Sequence, residues 1–177
     1  DVEIISVDSA QVYQGMDLGT AKPSKEQQCQ VPHHLIDIRA PDQPYTAFDF
    51  CQDAKVAMEE IRGRGRLPVL VGGTMLYLKA LREGMARLPK ADDAVRAEVL
   101  AEADRLGWAA LHQELQRIDP EASLRIKPSD TQRLQRALEV YRLTGRSLSE
   151  LIKDGQQGTT TALTEVAIMP ISRSGLH

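Results

Sequence analysis

Cysteine is scarce in this sequence: Cys29 and Cys51 are the only two in 177 residues. They show no metal-ligand spacing and no second pair, which excludes a disulfide framework or a zinc cage as the organising device and fits a reduced, cytoplasmic protein. Long apolar runs are missing too. Nothing approaches the ~20 residues that span a bilayer, and no signal-peptide pattern is visible, so a soluble protein without a membrane partner is expected. An excess of charge of one sign is also absent. The formal net charge of −3 gives no global attraction to nucleic acid, so RNA contacts would have to come from local basic patches. No G-x-x-x-x-G-K-[ST] phosphate cradle occurs in these residues, and there is no internal repeat or low-complexity tract. What is present is a 42% hydrophobic chain, enough for one substantial core with an appended module.

The most informative stretch is Ile4-Ile5-Ser6-Val7-Asp8-Ser9-Ala10-Gln11-Val12-Tyr13. β-Branched and apolar residues run straight into Asp8, the pattern of a buried parallel strand that delivers a carboxylate to a sheet's carboxyl edge. Open α/β sheets hold their ligands along that edge. Leu67-Pro68-Val69-Leu70-Val71 followed by Gly72-Gly73-Thr74 repeats the logic: a buried strand, a tight turn, and a polar residue where a helix begins. Thr74 can be a plain helix cap. Alternatively, Gly72 and Gly73 let backbone N–H groups approach a phosphate at the helix start, with Thr74 on the ligand.

Between these strands, Pro23–Gln28 reads as a turn entering a short polar helix. His33-His34-Leu35-Ile36-Asp37-Ile38 reads as a further strand, its two histidines packed at a strand edge rather than on a metal. Thr46 and Asp49 have capping-box spacing ahead of an amphipathic helix ending at Gly63. Arg62, Arg64 and Arg66 follow it, as a solvated helix end rather than a phosphate patch.

From Leu88 the composition turns helical. Asp92 opens a helix through Val95, Val99, Ala103 and Leu106, and Trp108, Leu111, Leu115 and Ile118 form a second that closes at Asp119-Pro120. Two such helices between core elements suggest a lid or clamp. A later helix turns Leu134, Leu138 and Tyr141 to the core while Gln132, Arg133 and Arg136 share a flank suited to phosphate and base-edge contacts, or to ordinary surface salt bridges. Ser147 to Glu150 repeats the capping-box spacing, residues 154–161 read as a flexible link, and Glu165–Ile171 as a final core strand. The expected organisation is an α/β core over residues 1–87, a helical insertion over 88–128, and a return to the core over 129–177. The chain starts without Met, directly before a strand pattern, and stops just after another, so it reads as the middle of something larger.

Ser-Val-Asp-Ser-Ala-Gln-Val-Tyr (6–13), Gly-Met-Asp-Leu-Gly-Thr-Ala-Lys-Pro (15–23), Pro-His-His-Leu-Ile-Asp-Ile (32–38), Leu-Val-Gly-Gly-Thr-Met-Leu-Tyr (70–77) and Gln-Arg-Leu-Gln-Arg-Ala-Leu-Glu-Val (132–140) resemble, in the same order, the bacterial tRNA dimethylallyltransferases. These attach an isoprenoid to N6 of the adenosine beside the anticodon, position 37. The resemblance implies a P-loop NTPase-like, nucleotide-kinase-like parallel sheet flanked by helices with a helical insertion. It implies a Gly-rich loop ahead of the equivalent of Glu3 and a long helical portion after that of His177. It further implies Asp8 as the base on N6 and Thr74 beside the reacting centre, with Gly72, Gly73 and Thr74 near the diphosphate. Asp8, Ser9, Ala10, Gln11, Thr74, Arg96, Gln132, Arg133, Leu134, Gln135 and Arg136 would touch tRNA. Dimethylallyl diphosphate is the implied donor and Mg2+ the implied cofactor, in a cytoplasmic monomer.

Three other readings stay open: a P-loop small-molecule kinase, a prenyltransferase of free adenine nucleotides, and a non-catalytic tRNA-binding fragment.

Overall fold

In the computed structural model, residues 1–86, 88–156 and 162–168 are described. The chain enters on β1 (Val2–Val7), passes through α1 (Lys25–Gln30) to β2 (His33–His34), then α2 (Ala47–Gly63), β3 (Leu67–Gly72) and α3 (Met75–Glu83). The three strands form one parallel sheet of order β2-β1-β3. Ile5 and Val7, fully buried on the central strand, pack with Phe50, Ala54, Met58 and Ile61 of α2 and Tyr77, Ala80 and Leu81 of α3. This is the expected α/β class, and the central place of β1 goes with its burial, from Ile5 to Val7, whereas no residue of β3 is buried.

Local signals set most boundaries. The Thr46–Asp49 capping box is formed, with Asp49 N–H donating to Thr46 Oγ1 at 3.2 Å and Thr46 N–H to Asp49 Oδ2 at 2.9 Å. Ser24 and Gln27 make a second box that starts α1. The strand expected over 33–38 stops at His34, however. Leu35 and Asp37 take φ of 63° and 57°, a left-handed geometry that ends an extended run. The backbone of 37–39 turns instead to the loop after β1, where Asp37 N–H donates to Gln11 O and Ile38 N–H to Val12 O.

At the opposite end of β1, Glu3 is a buried carboxylate, 2% exposed. It receives Arg64 (2.8 Å), Arg66 (3.0 Å) and His34 Nε2 (2.6 Å). Arg62 is the expected exposed basic residue in the last turn of α2, whereas Arg64 and Arg66 are not simply part of a solvated helix end: they close the base of the sheet on Glu3. Hydrogen bonds from Arg64 and then His34 hold the Glu3 carboxyl down at about 2.

Beyond residue 88 lies a second hydrophobic cluster, built by α4 (Asp93–Leu106), α5 (Trp108–Ile118), α6 (Pro120–Arg125) and α7 (Thr131–Thr144). Val99, Leu111, Leu115, Ala122, Leu134, Ala137 and Leu138 are its fully buried members. Asp119-Pro120 does not simply close a helix. Pro120 stands at the first position of α6, where its missing N–H costs nothing, and Asp119 caps it through Ala122 N–H. The expected return to the core at residue 129 is corrected as well, because α7 packs on α4 and α5. The apolar stripe of α7 fits the helices beside it, which no pattern within α7 could announce.

α8 (Leu148–Gln156) follows, with Ser147 and Glu150 capping it reciprocally, so the expected link is helical up to Gln156. Leu163 then packs on the sheet's cluster. The final strand is not formed over residues 165–168, where Val166 and Ile168 are 84% and 95% exposed; its remainder and residues 157–161 lie outside the described residues.

Candidate active site

β1 and β3 run in register up to the pair Val7 and Gly72, so the residues after them emerge side by side at the carboxyl edge. Two hydrogen bonds stitch that edge: Thr74 N–H donates to Val7 O at 3.2 Å, and Ser9 N–H donates to Thr74 Oγ1 at 3.1 Å. The close approach depends on Gly72, where a Cβ would sit 2.3 Å from Val7 O. Nothing lies within 4 Å of a Cβ at Gly73. Of the two glycines that the sequence offers for phosphate access, Gly72 has a packing role between strands.

Asp8, half-buried, curls its carboxylate over the turn that follows. Oδ1 accepts from Ala10 N–H (2.7 Å) and Gln11 N–H (3.1 Å), an arrangement that fixes the group and leaves Oδ2 for a ligand. Thr74 is the cap residue of α3 but makes no side-chain cap bond. Its oxygen is used as an acceptor by Ser9, so its O–H proton is available to a ligand. Beneath them, Tyr77 stacks on Phe50 with ring centroids 4.5 Å apart. Burial, then the neighbouring Tyr13 and Asp8, push its phenol up to about 12, so Tyr77 is a neutral wall rather than a base.

The loop carrying Asp8 is braced from two sides. Gln11 takes Ser6 Oγ–H at its Oε1 and donates through Nε2 to the carbonyls of Thr20 and Ala21. Lys22, with 5% of its side chain exposed, donates to Tyr13 O, Asp17 Oδ1 and Asp37 Oδ1 at 2.6–2.8 Å. Burial disfavours that ammonium, but the two carboxylates outweigh burial and raise its pKa. No helical or strand spacing marks Lys22, because its partners at 13, 17 and 37 lie in loops and meet it only through the fold. Gln11 was expected on RNA; its side chain is committed to holding the loop.

The remaining candidate residues lie on the helical unit, and three of them meet at Glu139, a carboxylate 1% exposed. Arg96 Nε donates to it from α4 at 3.1 Å, and Gln135 Nε2 (2.8 Å) and Arg136 (3.4 Å) from α7. Arg136 also donates to Pro89 O at 2.6 Å. Desolvation works against the Glu139 charge, and the bonds from Gln135 and Arg96 overcome it, holding the carboxyl below its usual range. Gln132 and Arg133 are exposed, and Arg133 pairs with Asp130 at 3.0 Å. Leu134 is corrected: at 0% exposure its side chain belongs to the helical core and cannot reach a ligand. The signal for Glu139 was in the sequence, since 135, 136 and 139 share one helix face at spacings of three and four.

Among the described residues no group of three or more His, Cys, Asp or Glu could hold a metal ion, and no helix is long and apolar enough to cross a membrane. Cys29 is exposed and Cys51 buried, both as free thiols.

A family profile described as IPP transferase matches residues 11–177. The tRNA dimethylallyltransferase of Halorhodospira halophila (strain DSM 244 / SL1) is 53% identical over 176 residues, covering 99% of this chain and 57% of that protein. A crystallographic study of a eukaryotic dimethylallyltransferase acting on tRNA gives a structure matching with a TM-score of 0.67 at 29% identity, over 84% of this chain and 37% of that one. The full-length tRNA isopentenylpyrophosphate transferase of Bacillus halodurans is 46% identical, over 81% of this chain and 48% of that one, with a TM-score of 0.47. The chain thus spans about half the length of the relatives it matches.

Proposed function

Because this chain belongs to the IPP transferase family, with the P-loop NTPase-like α/β architecture of its structural relatives, we propose that it transfers a dimethylallyl group from dimethylallyl diphosphate to N6 of the adenosine at position 37 in tRNA. The observation that carries this reading is that β1 and β3 end side by side, with Ser9, the residue after Asp8, hydrogen-bonded to Thr74.

The lone pair of adenine N6 is delocalised into the ring, so alkylation requires removal of an N6 proton as the C–N bond forms. Asp8 suits this step: Oδ1 is immobilised by two N–H groups, and Oδ2 accepts the proton. Thr74, held by Ser9, offers its O–H to the departing diphosphate or the base. An adenine within a stacked anticodon loop cannot reach the carboxylate, so it is extruded into the site. Arg96 and the exposed Gln132 and Arg133 supply sequence-independent contacts to the RNA.

Mg2+ remains part of the proposal only as a counter-ion of the donor. The described residues do not form a cage for it, and Mg2+ commonly rests on substrate phosphates with few protein ligands. The reading includes a monomer acting in the cytoplasm, where two free thiols are at home.

The test incubates the intact protein with labelled dimethylallyl diphosphate and either tRNA, AMP or no acceptor. Label on tRNA at the adenosine beside the anticodon is expected. Label on AMP alone, or on nothing, overturns the reading.

A further inference from the structure

We infer that Glu139 is a positioning residue for RNA, holding Arg96 through Nε so that its two terminal amino groups are presented to a phosphate. The inference deepens the proposed tRNA reading and rests on it. Glu139 is fully buried, yet its partners are not: the Arg96 side chain is 43% exposed and that of Arg136 is 32% exposed. A buried carboxylate is thus held by two arginine side chains that both reach solvent, so the anionic member of the cluster lies inward of its cationic partners.

The two arginines are used differently. Arg136 spends one terminal nitrogen on Glu139 and the other on Pro89 O, which ties α7 to the segment leading into α4. Arg96 gives Glu139 only Nε. Its planar fork is therefore fixed in orientation, with both terminal nitrogens unspent among the described residues, and less freedom is lost when a phosphate binds. Gln135 donates to the same carboxylate oxygen and so fixes the acceptor on which Arg96 Nε rests.

Simple electrostatics and positioning predict opposite signs for the same variant. Removing a negative charge beneath an RNA-binding face strengthens attraction to a polyanion. If Glu139 positions Arg96, Glu139→Gln instead weakens binding.

The measurement is the affinity of the intact protein for an anticodon stem-loop RNA across a salt series, with thermal melts to verify folding. Glu139→Gln is expected to bind about 10-fold more weakly at low salt, and the slope of log K against log salt to fall by about 1, the loss of one phosphate contact. Arg96→Lys, at a half-exposed position that tolerates change, keeps the charge but has a single ammonium to share between carboxylate and phosphate. It is expected to bind about 5-fold more weakly. Affinity in Glu139→Gln that is unchanged or tighter overturns the inference and leaves the tRNA reading intact, as does wild-type affinity in Arg96→Lys should Glu139→Gln not fold. A wild-type protein that does not bind the RNA overturns both.

Discussion

The backbone N–H of Ser9 donates to the hydroxyl oxygen of Thr74 at 3.1 Å, joining residues 65 positions apart across the carboxyl edge of the sheet. That one bond places the residue after Asp8 against the first residue of the α3 turn, and it determines what each can do.

Thr74→Val removes both the acceptor for Ser9 and the proton proposed for the ligand, while keeping shape. Transfer by the intact protein is expected to fall about 10²-fold, the scale of losing one oriented donor at a site of developing charge. Thr74→Ser retains the oxygen and should recover most of the rate. Single-turnover kinetics of the pair distinguish this from a packing effect, under which Ser, with its missing methyl, would be the worse of the two.

Asp8→Asn keeps the acceptor oxygen for Ala10 and Gln11 but cannot take a proton. The rate constant for transfer is expected to drop by at least ~10²-fold with tRNA affinity retained. Unchanged turnover would remove Asp8 from the role of base.

Gly72→Ala puts a Cβ 2.3 Å from Val7 O. The two strands must separate, and a chemical-denaturation midpoint should report a loss of about 2–3 kcal/mol, the upper range for overpacking. The rate should fall with it, since the displaced turn carries Thr74. A variant as stable as the parent would show that the β1–β3 approach is looser than described.

Glu3 sets a dependence on acid. Its carboxyl titrates at about 2 in the folded chain against 4.5 for the ordinary group, chiefly because of Arg64 and then His34. Between those values the unfolded chain binds the additional proton, so stability rises with pH there. The contribution is complete above about pH 5 and disappears as pH falls toward 2. Thermal melts of the parent should show this decline, and Glu3→Gln, less stable at neutral pH, should show a shallower one. Parallel acid profiles for the two would remove Glu3 as the cause.

Legibility from the sequence followed the range of the interaction. Capping boxes at Thr46–Asp49 and Ser147–Glu150 are contacts three residues apart, and both are formed as read. The strand over 33–38 was misjudged because its apolar run says nothing of the left-handed turns at Leu35 and Asp37, which the loop after β1 imposes through backbone hydrogen bonds. Arg64 and Arg66 looked like a helix end since their partner, Glu3, is about 60 residues away. Leu134 sat within a stretch matching a nucleic-acid-contacting segment, yet its apolar side chain is buried by α4 and α5.

By itself, the sequence determined where α2, α4 and α8 begin, that β1 is a buried strand, and that Asp8 and Thr74 follow extended runs, because hydrophobic periodicity and caps act over a few residues; β3, read as buried in the same way, leaves Leu67 and Val71 exposed. Only the tertiary structure decided that those runs are neighbours, that Gly72 serves the approach between them, and that Glu139 gathers arginines from two helices. Such decisions depend on how sheet and helix faces pack, and packing joins residues whose separation along the chain carries no local signal.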